Sequence, residues 1–310
     1  MDERILRCID DADAVPSIPD VVTHLLEVTA DPDFKIKDVV RVLAADAGIA
    51  SDVVRMANSS LYGGTNKTST LDKAITRLGI KRIRELVVAR GLMAGIAASK
   101  TPLIDASYFW RRSLGTAVVA AHFADAVKCI ERDRAFLAGL FSDVGVVILA
   151  RAVPDDYREV TAFYTPRSEC DFRVHERRTL GLSHAEVGAM ALERWSLPQE
   201  LVLAVRHHHD FEFEDESVPG DAVRLALLVN GAGDVATCLC EASDPVHIKE
   251  VCTKAVKTVG LDISTLPPIL RRVEPEIEDL ANLLRLDIIP SKVYTLIAES
   301  VSEQLAPASS

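Results

Sequence analysis

The sequence predicts an all-α protein, and three observations lead there. Apolar residues recur at three- and four-residue spacing from about Ile18 onward, and no strand-like alternation is sustained. Aromatics make up only 5% of the chain, so Ala, Val, Leu and Ile carry the apolar content, which suits aliphatic layers between helices better than an aromatic-rich sandwich. With 310 residues, 48% of them hydrophobic, the chain has material for a substantial core and length for two domains or one large one.

The elements follow in order. Pro19 suits a first helical turn, and Val21, Val22, Leu25, Leu26 and Val28 continue at helical spacing until Asp31-Pro32-Asp33 stops the run. Val39, Val40, Val42 and Leu43 form a short apolar face, Gly48 punctuates, and Ile49, Val53, Val54 and Met56 form the next. Asn58 to Gly64 is turn-rich and reads as a loop. Leu71, Ala74, Ile75 and Leu78 predict a helix ended by Gly79, with Ile80, Ile83, Leu86 and Val87 as its successor. Thr101-Pro102 marks a break. A second helical block runs from Tyr108 to about Lys128, then as one helix from Ala135 to Ala150, then through a turn at Pro154 to Tyr157 into a further helix. Ser183, with Glu186 three residues on, forms a capping box for a helix reaching Trp195. Leu197-Pro198 opens another helix that ends near His207-His208-His209. Asp210 to Pro219 reads as an acidic exposed loop and Asp221 as the cap of a long Ala/Leu-rich helix. The tail from Pro245 holds three more helices and a frayed end at Ala306 to Ser310.

Charge excludes one class of partner. With 35 Lys+Arg against 46 Asp+Glu and a formal net charge of -11, a nucleic acid held through its phosphates is not expected. The six cysteines are too sparse for a disulfide scaffold, and the one close pair, Cys238 and Cys240, has neither zinc nor thioredoxin spacing, so they read as reduced thiols. Met1-Asp2-Glu3-Arg4 opens no secretory signal, and no apolar stretch looks long enough to span a bilayer. The expectation is a soluble, cytoplasmic chain with no membrane partner.

Three local patterns bear on chemistry. Gly231 to Ala236 fits G-x-G-x-x-A, but a dinucleotide fingerprint needs a strand before it and a second strand ending in an acid, and helical spacing runs straight through these glycines. They read instead as small residues that let helices approach closely. Arg77, Lys81 and Arg84 share a helix face and form a candidate interaction surface for an acidic partner or a phosphate, the alternative being the solvated side of an amphipathic helix. Imidazoles near carboxylates are how divalent metals are held, so Asp143, His184 and His207 or His208 form a candidate ligand set. The plainer alternative is a group of satisfied histidines at a helix C-terminus.

Several segments then appear in a telling order: Ile18-Pro19, Asp46-Ala47-Gly48-Ile49, Arg55 to Gly63, Ala74 to Gly79, Tyr108 to Ser113, Phe136 to Gly145, and Ser183 to Gly188 followed by Trp195 to Pro198. Together they resemble the HDOD-domain proteins, bacterial signalling relatives of the HD-domain metal-dependent phosphohydrolases. The resemblance covers Val15 to His209 and weakens through the Asp221 helix. It implies a lead-in (1–14), an HDOD domain (15–210) made of an N-terminal helical subdomain (15–100) packed on a degenerate HD-like helical core (101–210), and a C-terminal helical extension (211–310) completing and flanking that core. The HD superfamily holds metal through a His, a His-Asp pair, a distal Asp and sometimes further histidines, and uses it to activate water against a phosphate ester. On this resemblance Arg112 stands at the first His, Ser142 at the His of the pair beside Asp143, and the distal Asp falls near Gly233, within Asn230 to Asp234. His184 and His207/His208 occupy accessory positions. Losing three of four primary ligands implies no metal, no cofactor and no catalysis, with Arg112 salt-bridged to Asp143 in a vestigial pocket. The expected function is a non-catalytic signal-transduction regulator or scaffold that contacts a signalling protein of cyclic-dinucleotide-enzyme, receiver or kinase type. The alternatives are a residual metal-dependent phosphohydrolase using Asp143, His184 and His207/His208, or a nucleotide or anion sensor using Arg112.

Overall fold

Every regular element among the described residues is helical, as the spacing of the apolar positions requires. The computed structural model describes residues 3–10, 15, 19–31, 33–59, 66–98, 103–162, 164, 172–209, 218–240, 245–284, 286 and 288, except residue 32 and a few side chains within helices. The chain runs through α1 (Glu3–Asp10), α2 (Asp20–Ala30), α3 (Ile36–Ala44), α4 (Ala47–Met56), α5 (Leu71–Leu78), α6 (Ile80–Ala98), α7 (Ala106–Val127) and α8 (Arg132–Phe141). It continues with α9 (Val144–Ala152), α10 (Pro154–Thr161), α11 (Phe172–Leu180), α12 (His184–Arg194), α13 (Gln199–His207), α14 (Gly220–Cys240), α15 (Pro245–Val259), a 3-10 turn (Ile263–Thr265) and α16 (Leu266–Leu284). Two compact units result: residues 1–15, 101–277 and 288–310 form one, and residues 16–100 and 278–287 the other.

In the unit built on residues 16–100, Val22, Leu25, Val39, Leu43, Val53, Met56, Ala74, Ile75, Leu78, Ile83 and Val87 of the positions at helical spacing are buried, whereas Val21, Leu26, Val28, Val40, Val42, Val54 and Ile80 are half-buried. Asp46 caps α4 by accepting from the Ile49 N–H at 2.9 Å. One buried acid stands among these apolar residues. Asp52 is 1% exposed, with Arg55 on one carboxylate oxygen and Arg90 Nε 2.8 Å from the other. The turn-rich segment after α4 is partly described. Asn58 accepts from the Thr68 N–H at 2.8 Å and donates to the Thr68 carbonyl at 2.7 Å, while residues 60–65 lie outside the described residues.

In the other unit, α7 is the central helix. Every residue from Ser113 to Ala124 is buried, so neighbours cover it on all sides. α8 and α14 pack along it, α15 and α13 pack on α14, and α12 sits between α13 and α9. The dinucleotide-like glycines lie inside α14, where a Cβ on Gly231 would come within 2.8 Å of the Ala255 carbonyl oxygen of α15, so close helix packing is the role of Gly231, while a Cβ on Gly233 would meet only Thr116 at 4.0 Å. Cys238 and Cys252 are buried thiols outside any disulfide, and Cys129 is an exposed one.

The structure corrects the expected elements in four places. The single helix expected from Ala135 to Ala150 is two, α8 and α9, broken at Ser142 and Asp143, where the Asp143 backbone leaves the helical region (φ -100°, ψ 7°). α10 starts at Pro154 itself, with proline's fixed φ at the first helical position, so the expected turn is already helix. Asp221 lies within the first turn of α14, which begins at Gly220, and favours the positive end of the helix dipole from there. α11 was not expected, because its sequence FRVHERRTL carries no apolar stripe. The break expected at Thr101-Pro102, most of the acidic loop after His209 and the frayed terminus lie outside the described residues.

Two stretches, Arg132–Ala152 and Gly220–Cys240, have the length and apolar character of membrane spans, contrary to the first reading of the sequence. The first is the broken pair α8 and α9, with 89% of its apolar window buried inside the protein, and the second has 61% buried, which fits core helices.

Candidate functional site

The α8–α9 break has a local cause and a consequence. Ser142 Oγ turns back to donate to the Gly139 carbonyl at 3.0 Å, and the next residue, Asp143, stands at the start of α9, 2% exposed. α9 then runs so close to α12 that a Cβ on Gly145 would lie 2.0 Å from the His184 carbonyl oxygen. That approach brings Asp143 to His184. α12 is anchored there by the predicted capping box, the Glu186 carboxylate accepting from the Ser183 N–H at 2.7 Å and from its hydroxyl at 2.9 Å.

Five elements therefore meet around Asp143. From α7, Arg112 donates to Asp143 Oδ2, and its Nε lies 3.3 Å from Thr237 Oγ1 of α14. The Tyr164 hydroxyl donates to the same Oδ2 at 3.4 Å, and the Arg112 guanidinium lies over the Tyr164 ring, 5.7 Å from its centroid. The other oxygen, Oδ1, faces imidazoles, with His184 Nε2 at 3.7 Å and His208 Nε2 at 3.8 Å. His209 completes the group, its Nε2 3.0 Å from His184 Nε2.

Behind the imidazoles lies Glu176 of α11, fully buried. It accepts from the His184 backbone N–H at 2.9 Å, from His184 Nδ1 at 2.7 Å and from the Tyr157 hydroxyl at 2.5 Å. His208 Nδ1 donates to the Val205 carbonyl at 2.7 Å, which leaves His208 Nε2 buried with no hydrogen-bond partner.

Opposing influences set the charge states. Burial pushes the Asp143 carboxyl up, but the Arg112 guanidinium, aided by His208 and His184, outweighs it and holds the pKa far below the usual carboxylate range. Burial disfavours charge on Arg112 as well, and Asp143 with Tyr164 and Tyr108 more than offsets it. Burial lowers all three imidazoles. His184 nevertheless ends above the ordinary value, because Glu176 and Asp143 favour its cation, whereas His208 and, more strongly, His209 stay below it.

The predicted residues fare differently. Arg112, Asp143, His184 and His208 come together as expected, and the expected Arg112–Asp143 salt bridge is present. Ser142 is buried beside them with its hydroxyl committed to α8. Gly233 lies on the face of α14 that meets α7, nearest Thr116, and offers no ligand atom. His207 is outside the cluster, and His209 takes the place expected of it. α13 explains the exchange: Leu201, Val202, Ala204 and Val205 form its buried face, which the 3.6-residue period continues to 208 and 209 and not to 207. Tyr164, Glu176 and Thr237 were not foreseen. On the candidate surface of the other unit, Arg77 is a structural tie, donating to the Ala57 carbonyl at 2.9 Å, to Asn58 Oδ1 at 3.3 Å and to the Asn66 carbonyl. The expected shared helix face is not present: Arg77 lies on α5 and Lys81 and Arg84 on α6, separated at Gly79, whose φ of 79° ends the first helix. Arg84 is half-buried, and the Lys81 side chain lies outside the described residues.

Two conclusions about metals follow. The set expected of an HD hydrolase does not fit, since Arg112, Ser142 and Gly233 supply no donor. A different set does: Asp143, His184, His208 and His209 each offer one ligand atom, all within 4.8 Å of one another, and His208 Nε2 has no other occupation.

With fold and site in view, the comparisons agree on the class. The HDOD domain family matches residues 15–211, and the chain belongs to that family. Its fold is similar to that of a proposed phosphohydrolase from Shewanella amazonensis SB2B, 22% identical, with a TM-score of 0.71 over 91% of this chain and 98% of that one. It is also similar to a proposed signal transduction protein from Marinobacter aquaeolei VT8, 20% identical, with a TM-score of 0.63 over 91% of this chain and 65% of that one. An uncharacterized protein of Treponema pallidum (strain Nichols) is 25% identical over 212 residues, 66% of this chain. The chain spans 40% of the length of that curated relative.

Proposed function

We propose that the protein is a non-hydrolytic regulator or scaffold of bacterial signal transduction that works through contact with a signalling protein. One observation carries the non-hydrolytic part: the Arg112 guanidinium occupies the side of Asp143 where a hydrolytic metal would need a histidine, and pairs with the carboxylate. Arg112 there supplies no ligand atom and takes one of the two carboxylate oxygens that a hydrolytic metal would use. Family membership and the fold likeness to a proposed signal transduction protein support the signalling part. Anion sensing is the weaker alternative, because Asp143 already neutralises the charge of Arg112.

A second reading, residual metal-dependent phosphohydrolysis, is favoured by the Asp143–imidazole cluster. One assay separates the two. Protein purified without a poly-His tag is incubated with cyclic dinucleotides and generic phosphate esters in the presence of Mn2+, Fe2+ or Zn2+. The expected result is no product above the metal-only blank. Metal-dependent turnover that disappears in Asp143→Asn would overturn the regulator reading.

A further inference from the structure

We infer that Asp143 Oδ1 and the Nε2 atoms of His184, His208 and His209 form a closed site for one divalent transition ion of the zinc class; its non-hydrolytic character rests on the function proposed above.

Geometry is the first support. A tetrahedral ion bound at about 2.0–2.1 Å spaces its ligand atoms about 3.3–3.4 Å apart. Three of the six donor separations lie near that spacing, at 3.0 Å for His184 to His209, 3.7 Å for His184 to Asp143 and 3.8 Å for His208 to Asp143, and all six are within 4.8 Å. An arriving ion draws the wider pairs inward to the edge lengths of one tetrahedron. The second support is the buried, partnerless His208 Nε2, 3.8 Å from Asp143 Oδ1, a lone pair with nothing else to bind.

The third support is the surrounding shell. Glu176 holds Nδ1 of His184 and the Val205 carbonyl holds Nδ1 of His208, so in both rings Nε2 is the atom presented to the centre. Carboxylate and carbonyl partners on the far nitrogen are how metal-ligating histidines are oriented and made more basic. Three imidazoles and one carboxylate select a zinc-class ion over magnesium or calcium, which prefer oxygen throughout. Four protein donors fill a tetrahedral shell, and Arg112 on Oδ2 keeps Asp143 to a single bond. No position is left for a water to be activated, which separates this site from a hydrolytic one.

The test uses the full chain purified without a poly-His tag. Zn2+ is titrated against a chelating dye, retained metal is counted by elemental analysis, and Co2+ is substituted to read coordination from its visible spectrum. One zinc per chain and the intense absorption of four-coordinate cobalt are expected. His209→Ala, at the half-buried edge of the cluster, should lose the ion, and His207→Ala should keep it. Glu176→Gln should weaken binding about 10–100-fold through the orientation of His184. Failure of the wild-type chain to retain zinc, a six-coordinate cobalt spectrum, or loss of the ion in His207→Ala each overturns the site. Zinc bound together with ester hydrolysis leaves the ligand set standing and sinks the non-hydrolytic reading; no zinc and no hydrolysis does the reverse.

Discussion

Asp52 and Asp143 are two aspartates buried in different units, each facing arginine, and they are not used alike. Arg55 and Arg90 meet the two oxygens of Asp52 separately, so the carboxylate is closed on both sides by cations. Arg112 and Tyr164 both approach Oδ2 of Asp143, while Oδ1 looks onto imidazoles too distant for hydrogen bonds. The first arrangement is complete as a packing device. The second leaves one oxygen without a hydrogen-bonded cation, and the metal site proposed above rests on that asymmetry.

The largest effect expected from this contrast is at Asp52. Asp52→Ala leaves two guanidinium groups without their counter-charge, the Arg90 side chain being only 15% exposed, and should cost about 3–5 kcal/mol in urea unfolding. A loss below about 1 kcal/mol would show that this pair is not the closed device described. Gly145→Ala should come next, at about 1–3 kcal/mol, because the new methyl meets backbone and α9 must move from α12. The same variant should lose zinc in the dye titration, since the close approach brings Asp143 to His184; unchanged zinc affinity would mean that this approach does not set the site.

The smallest effect tests whether the charge of Arg112 is already matched. Asp234, half-buried on α14, has its pKa raised by burial despite the pull of Lys254 and Arg112. A carboxyl whose folded pKa is raised holds its proton more firmly in the native state, so its penalty is absent below the unfolded value of about 3.9 and grows as pH rises through the folded value. Asp234→Asn should therefore raise Tm slightly at neutral pH, with the gain fading toward about pH 4. A fall in Tm at neutral pH would show that Arg112 depends on Asp234 as well as on Asp143.

The helix order was legible because apolar spacing is a local property, and residues such as Leu25, Val53 and Ile75 declare their faces within two turns. The break at Ser142 was not. Apolar residues on both sides satisfy helical spacing, and the interruption depends on a serine hydroxyl and on the distant α12. Arg112 and Asp143 were found through family resemblance, and their pairing followed from charge. His209 was within reach of sequence reasoning, had the buried face of α13 been extended by one turn. Glu176 was not, since a glutamate among basic residues looks solvated until the fold places Tyr157 and His184 over it. Arg77 looked like surface for the converse reason: the carbonyls it ties lie 11 and 20 residues away.

The hydrogen bonds of Glu176 also bear on how fast a ligand is captured. A histidine free to rotate must be stilled when an ion arrives, and that lost freedom slows productive encounters and weakens the complex. With Nδ1 of His184 and of His208 already held, both rings lost that freedom when the chain folded. Of the four donors only His209 is half-buried, so an ion entering the proposed site would meet it first, and the pace of capture would be set there and by the shedding of water from the ion.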